Sequence, residues 1–146
     1  MAERPDFDEY FFQVANAVAL RGDCRRRQVG AIIVWGNRVW ATGYNGPPTG
    51  GQPGCLDGAC PRGLKSKEEI PPYSDYSNCI AVHAEVNALR QFHFIREYAE
   101  PLVVWSWGLG PLDPIPPPAI FVTAPPCTDC AIALKEQNVV AKWIPE

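Results

Sequence analysis

Apolar residues recur at helical intervals near the start of the chain: Phe7, Phe11, Val14, Val18 and Ala19 fall on one face. Pro5 precedes them, Asp6 or Asp8 supplies a cap, and Gly22 closes the segment. The period then changes. Val29 to Trp35 is near-continuously apolar, the mark of a strand covered on both faces. Gly36-Asn37 reads as a hairpin turn, and Arg38 to Tyr44 returns as a second strand. Residues 45–77 are rich in Gly, Pro and Cys and read as loop. Asn78 is placed to cap a second helix through about Phe94, with Ile80, Ala84, Val86, Asn87, Leu89 and Phe92 mixing core and site positions. A proline-rich passage over 101–118 follows, then a short strand at Ala119–Thr123. A third helix from about Cys127 to Gln137 and a fourth strand over Val139–Ile144 complete the order. With no internal repeat, residues 1–146 are expected to form one α/β domain.

Composition narrows the function. The chain has 146 residues, is 47% hydrophobic and 20% charged, and carries a formal charge of −3 with a pI near 5.4. That is a globular composition, and its acidic balance argues against a polynucleotide-binding surface, which needs clustered Lys and Arg. The one dense basic stretch, Arg25-Arg26-Arg27, is enough for a single phosphate. No window approaches the roughly 18 consecutive apolar residues of a membrane span. The N-terminus carries acids where a signal peptide would carry basic residues, so a cytoplasmic protein with no membrane partner is expected. In that compartment six cysteines suggest metal or catalysis more than disulfides.

The chemistry concentrates in two short motifs. His83-Ala84-Glu85 opens one helix, and Pro125-Pro126-Cys127-Thr128-Asp129-Cys130 opens another. One imidazole and two thiolates make three ligands to Zn²⁺ and leave a fourth position for water, as in a catalytic site. Cys127 and Cys130 at i and i+3 face the same way, and a helix N-terminus favours their ionised form. Glu85, two residues after His83, can sit beside the metal without binding it and act as the acid–base group. A redox Cys-x-x-Cys pair would leave His83 and Glu85 without a use.

On these motifs the chain resembles the deoxycytidylate (dCMP) deaminase family of the zinc-dependent cytidine deaminase superfamily. The resemblance covers nearly the whole sequence: residues 24–34, Ala41 to Pro47, Ser77 to Leu89 and Pro126 to Cys130, with Gly43-Tyr44-Asn45-Gly46 setting the family apart from its relatives. It implies a three-layer α/β/α fold with a mixed central sheet, and hydrolysis of dCMP to dUMP with release of ammonia. It also implies a homo-oligomer, hexamer or dimer, and dCTP and dTTP as effectors, with Mg²⁺ only where such an effector binds. Asn45 is assigned contact with the sugar or pyrimidine, and the backbone near Val29 and Ala84 is implied to line the base pocket. The plainer alternative for Asn45 is an Asn-Gly turn. Arg26 and Arg27 are either phosphate anchors or a solvated charge run. Several family members carry a second, structural zinc. Cys24, Cys55, Cys60 and Cys79 suggest the same here, with His93 a weaker substitute ligand and buried free thiols the alternative.

Two departures bear on the expectation. The stretch between Glu85 and Pro126 is longer than usual, with the excess in 101–118. Val103-Val104-Trp105-Ser106-Trp107 is too apolar for a free linker and suggests an extra edge, an oligomer contact or a lid. The family's usual C-terminal strand and helix, which often supply an aromatic over the base, are not evident, so Tyr73, Tyr76 or Trp143 is left to substitute. Two other functions stay open: deamination of another cytosine nucleotide or nucleoside, and a non-catalytic nucleotide-sensing zinc module. The intact Glu85 speaks against the second.

Overall fold

The computed structural model describes residues 3–47, 53–71, 76 and 78–145. The first helix, α1, spans Phe7–Ala19. Asp6 is its cap: its carboxylate accepts from the Glu9 amide, and the Glu9 carboxylate accepts from the Asp6 amide. Strand β1 (Gly30–Trp35) and strand β2 (Arg38–Tyr44) form the expected hairpin. Its two turn residues, Gly36 and Asn37, both take positive φ, 60° and 58°. Positive φ at both positions is the type I′ geometry, whose backbone twist matches the right-handed twist of the flanking strands.

Helix α2 departs from expectation at both ends, running from Ala84 to Trp107. Asn78 does not cap it; His83 occupies the cap position. The chain before His83 is committed elsewhere. Val82 exchanges both backbone hydrogen bonds with Gly46, at 2.7 and 3.1 Å, and the amides of Ile80 and Ala81 are spent on the thiols of Cys60 and Cys79. At the other end the helix passes through Pro101 and takes in Val103–Trp107, so this segment is neither edge strand nor loop. Burial outweighs the proline: Ala99 and Val103 are sealed in the core, and the Val103 methyls lie under the hairpin tip at Gly36. Gly108, at φ 64°, ends the helix with paired bonds from its own amide and that of Leu109 to the Trp105 and Val104 carbonyls.

Strand β3 (Ala119–Val122), helix α3 (Thr128–Glu136) and strand β4 (Val140–Trp143) follow. The described strands form one mixed sheet in the order β2-β1-β3-β4, antiparallel except for β3 with β4. Alternate residues of β1 face opposite cores. Ile32 and Val34 pack with Phe11, Ala15 and Phe121 against α1. Ala31, Ile33 and Trp35 pack with Ala84, Ala88, Phe92 and Leu134 against α2 and α3. The result is a three-layer α/β/α fold with a mixed central sheet. Gly43 brings the start of α2 down on the sheet, because a Cβ there would sit 2.2 Å from the Ala84 carbonyl oxygen.

Candidate active site

The N-termini of α2 and α3 converge on one point. His83 caps α2, Cys127 caps α3, and Cys130 lies in the first turn of α3. His83 Nδ1 lies 3.3 Å from Cys130 Sγ and 3.4 Å from Cys127 Sγ, and the three donor atoms all fall within 4.8 Å of one another. Ideal tetrahedral zinc, with Zn–N about 2.0–2.1 Å and Zn–S about 2.3 Å, puts N and S roughly 3.5 Å apart, so these residues fit the ion. Burial, reinforced by the nearby Arg62 charge, holds the His83 imidazole below its ordinary pKa and keeps it in the neutral, ligating form. The Cys130 thiol is pushed up by burial and by the charge of Glu85, a pressure that a bound cation reverses.

Glu85 stands beside this trio and outside it. It is 4% exposed, lies in the first turn of α2, and contacts the Cys130 thiol. Burial pushes its carboxyl above the usual carboxylate range. It opens onto a cleft whose walls include His83, Ala84, Cys127, Asn45, Val29, Arg26 and Arg27. Asn45, Arg26, Arg27, Val29 and Ala84, assigned to the substrate side in the sequence, thus line one cavity with His83 and Cys127.

Their individual placements differ. Asn45 is buried and does not form an Asn-Gly turn: its Oδ1 accepts from the Val29 amide at 2.8 Å and its Nδ2 donates to the Arg27 carbonyl at 2.8 Å. It therefore clamps the strand entry that carries both residues. The Arg26 guanidinium points back into the loop and donates to the carbonyls of Lys65 (3.0 Å), Ser66 (3.3 Å) and Ile70. Tyr76 packs edge-on against His83, ring centroids 4.9 Å apart. Trp143 lies by a separate groove along β4, and Tyr73 falls outside the described residues.

The remaining thiols gather beside the same cleft. Cys55 and Cys79 each adjoin Cys60, and both feel the charge of Cys24. Burial pushes Cys55 up to about 11 and raises Cys79 as well. Burial acts on Cys60 too, but amide donors from Ile80, Gly63 and Arg62 outweigh it and hold that thiol low. The tight three-donor geometry is confined, among the described residues, to His83, Cys127 and Cys130. His93 is exposed on α2 beside Phe94.

Sequence reasoning missed Arg62, which comes from the short 3₁₀ turn Arg62–Leu64 inside the loop. It is 6% exposed, lines the cleft, and stacks its guanidinium carbon 4.5 Å above the Tyr76 ring. Nothing local marks it, since an isolated Arg in a polar loop reads as solvated. Ala124 and Pro125, just ahead of the Cys127 motif, also line the cleft.

A family model described as "Cytidine and deoxycytidylate deaminase zinc-binding region" matches residues 5–144. The deoxycytidylate deaminase of Mycobacterium phage D29 is 52% identical over 90 residues, covering 59% of this chain and 66% of that one. That of Schizosaccharomyces pombe is 45% identical over 86 residues, covering 59% of this chain and 26% of that one. The chain thus matches less than two-thirds of the length of either relative. The dCMP deaminase of cyanophage S-TIM5, solved in complex with dCMP and dUMP, superposes with a TM-score of 0.60. It is 20% identical, covering 98% of this chain and all of that one, and so attests the fold. On its fold, its converging His83, Cys127 and Cys130, and this match along almost its entire length, the chain belongs to the cytidine and deoxycytidylate deaminase zinc-binding family.

Proposed function

We propose that the protein hydrolyses dCMP to dUMP and ammonia, with a catalytic zinc held by His83 Nδ1 and the thiolates of Cys127 and Cys130. The observation that carries this reading is the buried carboxylate of Glu85 beside a His/Cys/Cys trio, at the wall of an arginine-lined cleft. Zinc bound there lowers the pKa of water towards neutrality and so supplies hydroxide at pH 7. The chain's own residues do the rest. Glu85 accepts a proton from the attacking water and passes it to ring N3 of cytosine; it then takes the remaining hydroxyl proton at C4 and delivers it to the amine, which leaves as ammonia as the C4 carbonyl forms. Burial raises its pKa and so makes it a stronger base than an exposed carboxylate. Val29 and Ala84 wall the base, Asn45 fixes the Arg27–Val29 segment against it, and Arg26 staples the loop that closes the cleft.

The substrate follows the names of the relatives and the nucleotides carried by the cyanophage protein. The neighbouring thiols of Cys24, Cys55, Cys60 and Cys79 support a second, structural zinc. No described helix is long and apolar enough to cross a membrane, in keeping with a cytoplasmic enzyme. Phe94, Tyr98, Leu102 and Trp105, exposed on α2 three or four residues apart, support a homo-oligomer.

Ultraviolet-monitored deamination of cytosine, cytidine, deoxycytidine, CMP, dCMP and dCTP tests the activity. The expected result is highest kcat/KM on dCMP, abolished by chelation and restored by zinc. Zinc-replete protein that turns over none of the six would overturn the assignment, and a preference for dCTP or CMP would move it to another cytosine nucleotide.

A further inference from the structure

The two edge strands of the sheet, β2 and β4, are treated differently by the rest of the chain. On the outer side of β2 the Thr42 amide donates to Gln91 Oε1 at 2.7 Å, and the Tyr44 carbonyl accepts from Asn87 Nδ2 at 2.9 Å. Asn87 and Gln91 lie one turn apart on α2, so that helix covers the edge with side-chain amides. Strand β4 has no such cover. Its Val140 amide donates to the Pro118 carbonyl and the Ile144 amide to the Val122 carbonyl, so Val140, Lys142 and Ile144 turn their backbone groups towards β3. Ala141 and Trp143 turn theirs outwards, and no hydrogen bond from a described residue reaches those groups.

The open stretch is bounded at both ends. The Val139 amide is spent on the Leu134 carbonyl at 2.9 Å, and Pro145 has no amide to give. Ala141 and Trp143 are thus the outward donors between two closed positions, and that pattern is its own complement. Turned about a two-fold axis at Lys142 and laid antiparallel, β4 sets Ala141 of one copy opposite Trp143 of the other, each pair exchanging both backbone bonds. Val139 then meets Pro145, where neither has a donor to lose.

Both faces of the strand accept this register. On the α3 side a groove along β4 is lined by Ala131, Leu134, Lys135, Ala141 and Trp143. The small Ala141 leaves room there for the other copy's indole, which is 45% exposed in a single chain. On the α1 side the two Lys142 side chains meet at the axis, and each is already paired with Asp8 at 2.9 and 3.0 Å. The axis therefore gathers two carboxylates with two ammonium groups and no net charge. A strand edge this short buries less than the roughly 800 Å² that each partner buries in a standard interface, so micromolar association is expected.

We propose that β4 is a self-association edge, at which two copies of this chain pair antiparallel in the Ala141–Trp143 register and join their sheets into one. Phe94, Tyr98 and Trp105 of α2 do not line this contact, so it is separate from any assembly through that helix. It is also independent of the substrate.

The register makes the test specific. Across an antiparallel non-hydrogen-bonded pair the Cα atoms lie about 4.5 Å apart, within the roughly 4.4–6.8 Å that a disulfide spans. Lys142→Cys should therefore link two copies on treatment with diamide at micromolar protein: the two introduced thiols give their hydrogens to the reagent, which is reduced to the hydrazine, and form one S–S bond. Val140→Cys, which faces Ile144 of the other copy, should link at least tenfold less, and wild-type protein gives the background of the native thiols. Trp143→Pro added to Lys142→Cys removes an outward amide that bonds nothing within the chain, so Tm should hold while the yield falls at least tenfold. Trp143→Ala, which empties the groove and keeps the amide, should lower the yield several-fold and serves if proline unfolds the strand. Linking at the wild-type background would overturn the proposal and leave the edge to an extended segment of another protein. Equal yields from Val140→Cys and Lys142→Cys, or a yield that neither Trp143 variant lowers, would overturn it as well.

Discussion

Asn45, Arg62 and Glu85 are the buried polar or charged residues among those described, and all three line one cleft. Burying such groups costs free energy unless hydrogen bonds or function offset it, so their convergence marks the site independently of any motif. Glu85 is the one whose chemistry can be tested alone. It touches the Cys130 thiol without joining the three-donor set, so Glu85→Gln, which keeps size and hydrogen bonding, should retain zinc and nucleotide binding. The amide cannot shuttle protons, and kcat should fall at least ~10³-fold, towards the upper end of what one acid–base group contributes. Loss of zinc in this variant would make Glu85 a ligand, and turnover within tenfold of wild type would place the proton transfers on another group. His83, Glu85, Cys127 and Cys130 were legible in the sequence because metal ligation restricts residue type and helical geometry restricts spacing. Arg62 was not, because its position is set by a thiol, a stapling arginine and an aromatic ring that are remote from one another in the chain.

At the scale of elements, the strands and the Gly36-Asn37 turn were legible because pattern and turn chemistry agree there. Helix α2 was not, for a reason that lies outside the helix. Asn78 is a good cap by type, but the amides of Ile80 and Ala81 already serve Cys60 and Cys79, and Val82 pairs with Gly46, so helical bonding cannot begin before His83. The Cys-rich loop and the start of α2 therefore hold each other in place through Cys60. Wild-type protein should contain between one and two zinc per chain by elemental analysis. Cys60→Ala should lose the fraction above one, keep the equivalent at His83, Cys127 and Cys130, and unfold at a lower temperature. The amides stripped of their acceptor should cost about 1–3 kcal/mol. One equivalent in both proteins, with unchanged Tm, would mean the four thiols are packed small hydrophobes.

Across the whole molecule, the second half of α2 presents an unusual surface. Its inward face buries Ala99 and Val103, while Phe94, Tyr98, Leu102 and Trp105 follow one another three or four residues apart on the outside. Phe94, Tyr98 and Trp105 are each more than three-quarters exposed, at 77%, 76% and 81%. Side chains of this size carry roughly 150–250 Å² of surface each, so the stripe offers several hundred Å² of contiguous apolar area, more than a monomer usually leaves in water. It also approaches the roughly 800 Å² that each partner buries in a standard interface. The apolar run Val103–Trp107 was visible in the sequence, but its helical geometry was hidden by Pro101, which the core contact of Val103 under Gly36 overrides. A second copy of the same stripe is the simplest partner, since a two-fold axis matches like with like. Wild-type protein should therefore sediment as a dimer or larger assembly at micromolar concentration. Trp105→Glu or Tyr98→Glu, each placing a charge in the centre of the stripe and away from the cleft, should weaken association at least tenfold, about 1.4 kcal/mol. Both substitutions fall at positions more than three-quarters exposed, so the monomer should keep its Tm. Sedimentation velocity over a hundredfold range of concentration reads the result. Wild-type and variants with the same association constant would show that the assembly, if there is one, uses another face.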